Sequence, residues 1–112
     1  IENHKYKIDL ENNDTVKELL NKLPFEITMD ELNGNEKYKY LDYSLPSNPK
    51  IVKKIHVGDI MLFGNSCIVI FYKDFHTNYR YTRIGHIQDD SFIKQLDQGS
   101  CAIKFMEDTY EI

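Results

Sequence analysis

Apolar positions are densest in Val57–Tyr72, where the runs Ile60–Phe63 and Cys67–Tyr72 flank Gly64-Asn65-Ser66. A glycine at the first central position of a turn accepts a positive φ, which predicts a type II′ hairpin between two right-twisted strands. The second run is apolar on both faces. It predicts a central strand covered on two sides, because a strand with one wet face would alternate.

The flanking chain is patterned more weakly. Tyr6, Ile8 and Leu10 alternate with Lys5, Lys7 and Asp9, as in a half-buried strand. A helix follows from Asp14 or Thr15, with Thr15 and Glu18 spaced as a capping box. Its apolar stripe is Val16, Leu19, Leu20 and Leu23, and Pro24 ends it. Phe25, Ile27 and Met29 mark a second strand, and Tyr38 and Tyr40, alternating with Lys37 and Lys39, a third. Asn33-Gly34-Asn35 turns the chain between them.

Residues 44–49 read as a loop, Ile51–Ile55 as a short strand and Asp74–Asn78 as another loop. Tyr79–Ile87 is a strand with Tyr79, Tyr81 and Arg83 on one face and Thr82, Ile84 and His86 on the other. Asp89 or Asp90 caps a short second helix carrying Phe92, Ile93 and Leu96, which Gly99 ends. A last strand, Cys101–Met106, precedes an acidic tail. Seven or eight strands joined by short turns, with no linker or repeat, predict one mainly β domain over residues 1–112. The expected form is an antiparallel sheet closed on itself, with the two short helices capping the barrel ends.

Charge narrows the partners. The net charge of −4 and the lack of a basic patch argue against a nucleic-acid surface. No run approaches the roughly 18–20 apolar residues that cross a bilayer. Cys67 and Cys101 sit inside apolar runs and read as buried thiols, with a disulfide open if their strands are neighbours. The histidines show no ligand spacing, so no metal is expected. The chain begins at Ile1 rather than methionine, which reads as loss of a tag or a signal segment. The expected compartment is the cytoplasm, or outside it if that segment was a signal.

Several landmarks, taken in order, resemble a known family. They are Leu23-Pro24, Leu32 to Tyr38, Val57-Gly58-Asp59-Ile60, Cys67 to Tyr72, and Tyr81-Thr82-Arg83-Ile84-Gly85. Together they are similar to the bacterial cyclophilin-like domain family, whose members are largely without assigned function. The resemblance implies a small closed cyclophilin-like β-barrel. It does not carry prolyl isomerase activity, which pairs an arginine with a phenylalanine in a groove. Here Phe75-His76 runs into Thr77, the glycine-rich Gln-Gly-Gly-Asp run is missing, and there is no tryptophan to line a proline pocket.

Arginine is scarce, with two against twelve lysines, and both arginines fall within two residues of Tyr81. Tyr72, Phe75, His76, Tyr79, Tyr81 and Arg83 form the densest polar-aromatic cluster. Arg83 on a strand can fork onto a carboxylate, or it pairs with Glu36 or Asp59. Arg80 lies on the opposite face and reads as solvated. Glu36 heads a strand, either as a general base or ligand contact if a pocket raises its pKa, or as a partner of Arg83 or Lys37, or as a group facing water. Asp59 reads as a turn cap.

The expected function is non-catalytic binding of a small molecule or extended peptide at the barrel mouth. Glu36, Tyr38, Phe71, Phe75, Tyr79, Tyr81 and Arg83 form the expected ligand site, with no catalytic residue and no cofactor. The alternatives are an altered prolyl isomerase and a module working with a flavodoxin-like redox partner, the latter implied by the resemblance.

Overall fold

The structure, a computed structural model, describes residues 4–96 and 99–107. The predicted hairpin is its centre: β6 (Asp59–Phe63) pairs with β7 (Cys67–Phe71), with Phe63 opposite Cys67 across a three-residue turn. Gly64 has the expected positive φ, at +62°. The turn is held from a distance, since Leu41 N–H donates to Ser66 O and Leu45 N–H to Asn65 O.

The remaining strands build outward from that pair. They are β1 (Ile8–Leu10), β2 (Phe25–Leu32), β3 (Glu36–Tyr40), β9 (Arg80–Ile87) and β10 (Cys101–Phe105). Short pieces β4 (Lys50–Ile51), β5 (Lys54–Ile55) and β8 (Phe75–His76) complete the set. The antiparallel main sheet runs β1-β9-β6-β7-β3-β2-β10, with β4 added to β9, while β5 and β8 form a separate ribbon. Lys53, at φ +64°, separates β4 from β5 within the predicted strand over 51–55. The predicted loop over 74–78 contains β8.

The sheet is not a closed barrel. Its two ends, β1 and β10, do not pair, so it is a curled half-barrel, and this corrects the expected closure. Side chains fill its concave side instead. That core joins Ile60, Leu62, Ile68 and Ile70 to Met29, Ile84 and Ile103. Both helices, α1 (Asp14–Asn21) and α2 (Ile93–Leu96), feed the same core through Val16, Leu19 and Leu96, and Phe92 joins them from the 3₁₀ turn before α2.

The cap of α1 differs from the expected capping box. Asn13 is the N-cap: its Oδ1 accepts Val16 N–H at 2.9 Å, and its Nδ2 donates to Arg83 O at 2.7 Å. Thr15 is drawn away to donate to Pro46 O. Leu20, expected in the buried stripe, is 43% exposed.

A smaller second core covers the convex face. Met61, Cys67, Val69, Phe71 and Tyr81 pack there under Ile55 of β5 and Phe75 of β8. Strands β6 and β7 are therefore buried on both faces, as the apolar run predicts. Cys67 belongs to this convex core and Cys101 to the concave one, and the two are not joined by a disulfide.

One residue reverses the expected polarity. Lys37 is fully buried, on the concave side of β3. Its ammonium lies 2.9 Å from Glu31 Oε1, donates to Gly99 O and sits 5.7 Å from the centroid of the Tyr72 ring. Tyr72 OH and Gly34 N–H also donate to Glu31. Burial opposes ionisation of Glu31, but those hydrogen bonds and Lys37 outweigh it and hold its carboxyl below the ordinary value.

Two substitutions test these constraints by urea denaturation. A Cβ at Gly85 would lie 2.6 Å from Asp9 O and from Ile8 Cγ2. Gly85→Ala is expected to cost about 1–3 kcal/mol by forcing β1 off β9. Glu31→Ala strands the Lys37 charge and is expected to cost about 3 kcal/mol, whereas replacing both partners at once, Glu31→Leu with Lys37→Met, costs much less.

Candidate functional site

The strand register decides which predicted site residues meet. On the convex face one row runs Leu32, Glu36 and Phe71, and it continues through Asp59 of β6, His86 of β9 and Asp9 of β1. The next row holds Asp30, Tyr38, Val69, Met61 and Arg83. A third holds Tyr40, Cys67 and Phe63. Glu36 and Arg83 are thus on one face, but β7 and β6 lie between their strands. Three inter-strand steps amount to roughly 14 Å, and no ion pair joins them.

The aromatic side chains are continuous. Ring centroids run Phe75–Phe71 at 5.5 Å, Phe71–Tyr81 at 5.6 Å, Tyr81–Phe63 at 5.7 Å and Phe63–Tyr79 at 6.0 Å. Tyr38 and Tyr40 form a second pair at 6.3 Å. Phe71 is fully buried and Tyr81 nearly so, which makes them the floor of this surface rather than its wall. The accessible rings are Tyr40 at 59%, Phe63 at 39% and Tyr79 at 66% exposure, with Tyr38 and Phe75 half-buried. Phe63 and Tyr40 complete the set, and neither was among the residues of the expected ligand site. Their signal was positional: Phe63 and Cys67 flank the hairpin turn, and Tyr40 is the residue of β3 opposite Cys67.

Glu36 is the charged group among these rings. It is half-buried, and no described residue hydrogen-bonds or ion-pairs with it, because Lys37 turns inward to Glu31. Burial first, and then the charge of Glu31, push its carboxyl from 4.5 up to about 6. Burial and the nearby Glu36 charge also push the Tyr81 phenol to about 12 and the Cys67 thiol to about 11. A carboxyl near 6 can exchange a proton at neutral pH, whereas Cys67 at about 11 stays a protonated, buried thiol.

Arg83 lines a different space. An open cleft of about 610 Å³ lies along the edge of β9 where β1 and β4 leave it uncovered. Asn13, Thr15, Asn48, Lys50, Thr82 and Arg83 are among its walls, and neither Glu36 nor any phenylalanine is. Tyr81 borders both this cleft and the aromatic floor. Arg80 is exposed, as expected.

Asp59 serves the turn it was expected to cap. Its Oδ2 accepts His56 N–H at 2.8 Å, and its Oδ1 lies 2.9 Å from His86 Nδ1, which takes the place an arginine partner would fill. Among the described residues no group of three His, Cys, Asp or Glu side chains could hold a metal ion. None of their helices is long and apolar enough to cross a membrane.

The half-barrel and its row of landmarks agree with a match of residues 1–106 to the model of the cyclophilin-like family. The chain belongs to that family. No curated protein and no solved structure matches it. Membership in the cyclophilin-like family fixes the kind of fold and leaves the ligand to be argued from the surface.

The raised Glu36 carboxyl has a consequence for stability. The folded chain holds this proton more tightly than the unfolded chain, so ionisation opposes folding. Stability contributed here is present below pH 4.5, falls as pH rises towards about 6, and is lost above that. Glu36→Gln is expected to be more stable than the parent above pH 6 and to flatten that part of the profile. The gain vanishes below pH 4.5 in the same denaturation series.

Proposed function

We propose that this cyclophilin-like domain is a non-catalytic binding module that takes an extended peptide across the convex aromatic face. The observation that carries the reading is the exposure of Tyr40, Phe63 and Tyr79 above a floor of packed rings. An isolated aromatic on a surface means little. A set of exposed rings continuous with a buried aromatic floor offers contact area on rigid support, which is what anchor residues of an interface use.

The reading revises the expected site. Glu36, Tyr38, Phe75 and Tyr79 remain ligand-facing residues, joined by Tyr40 and Phe63. Phe71 and Tyr81 support them from below. Arg83 is left out, because it lines the cleft beside β9. That separation also supports a binding rather than an isomerase role, since an arginine set apart from the phenylalanines does not form a catalytic groove with them. A small molecule finds less support on this face, which is a stripe rather than an enclosed pocket.

A random heptapeptide display library panned on the whole chain tests this. Enriched peptides are expected to bind the Tyr40→Ala/Tyr79→Ala variant at least tenfold more weakly, about 1.4 kcal/mol, and Arg83→Ala equally well. Peptides whose affinity depends on Arg83 and ignores both tyrosines would overturn the assignment.

A further inference from the structure

We propose that Glu36 makes the convex face selective for extended peptides that present a lysine or arginine side chain beside Tyr38. This rests on the proposed binding face and names the chemistry it selects.

Glu36 is half-buried among rings, and no described group neutralises it. Every other carboxylate buried to a similar or greater degree near it is served: Glu31 by Lys37, Tyr72 and Gly34, and Asp59 by His86 and the His56 amide. A desolvated acid without a partner is costly. A cation arriving from outside removes that cost and gains the attraction of the ring faces as well.

The surroundings favour the same sign. The strands around Glu36 add Asp30, opposite Tyr38, and Glu26 to the convex face, while Lys104 stands opposite Glu26. Asp30 accepts a hydrogen bond from Ser100 Oγ at 3.0 Å and stays exposed. Lys104 on β10 is two strands from β3 and Arg83 on β9 is three, and neither ion-pairs with Glu36. An acidic side chain would meet Glu36 and Asp30 together, so like-charge repulsion excludes it. Tyr38 stands two residues from Glu36 on the same face of β3, where a basic side chain can lie with its stem on the ring and its head at the carboxylate.

An extended chain is the occupant this shape fits. Alternate side chains of a strand are about 6.6–7 Å apart, close to the 6.0 Å between the Phe63 and Tyr79 rings and the 6.3 Å between Tyr38 and Tyr40. Strand β3 has neighbours on both sides, so the peptide lies across the face and does not extend the sheet.

The probes are the capped pentapeptide Val-Thr-Lys-Thr-Val and its versions with glutamine or glutamate at the centre. Each is titrated into the labelled chain by NMR. The lysine peptide is expected to bind at least fivefold tighter than the glutamine peptide, and the glutamate peptide weakest. With Glu36→Gln the lysine preference falls to about one, while Tyr79→Ala weakens all three alike. If the peptides shift Tyr40 and Tyr79 resonances with no lysine preference, the selectivity is overturned and the binding face stands. If none shifts those resonances, both are overturned. If butylammonium alone shifts Glu36 as strongly as the lysine peptide, the face takes free amines and the peptide assignment fails.

Discussion

Nine of the ten residues in β6 and β7 are buried, so water has to be kept from both faces of this strand pair. One curled sheet encloses only one face. The concave side is filled by the main core and the two helices. The convex side needs a separate cover, and the chain supplies it with the β5–β8 ribbon and the side chains of Tyr81 and Phe75. That cover is small and stops short of Tyr40, Phe63 and Tyr79. The aromatic surface is thus a by-product of burying the hairpin twice, and its accessible rings are the margin of the second core.

Two acids on neighbouring strands show how environment divides roles between like residues. Glu31 meets an ammonium, a phenol and a backbone amide, and its ionised form is stabilised. Glu36 lies on the opposite face of the sheet among aromatic rings, and its ionised form is opposed by burial and by Glu31 itself. The first contributes to the fold by neutralising Lys37. The second opposes it at neutral pH, a cost that a cationic ligand would offset.

Much of the fold was legible in the chain. The doubly apolar run announced a strand covered on two sides, Gly64 announced its turn, and Asp59 its cap. Lys37 was not legible, because alternation assigns charges to water, and its partners Glu31, Tyr72 and Gly99 are brought together only by the fold. Barrel closure was not legible either, since no local pattern records whether β1 and β10 pair. Of the expected site, Phe71, Phe75, Tyr79 and Tyr81 come together in one run of rings with Phe63, but the reading from sequence also joined Arg83 to Glu36. Only the strand order, which sets β7 and β6 between them, separates the two.

The most direct measurement is a set of intermolecular nuclear Overhauser effects from a bound, panned peptide to the side chains of the domain. The account predicts contacts to the rings of Tyr40, Phe63 and Tyr79 and to Glu36, with none to Lys50, Asn48 or Arg83. Contacts confined to those last three residues would place the ligand in the cleft beside β9 and contradict it.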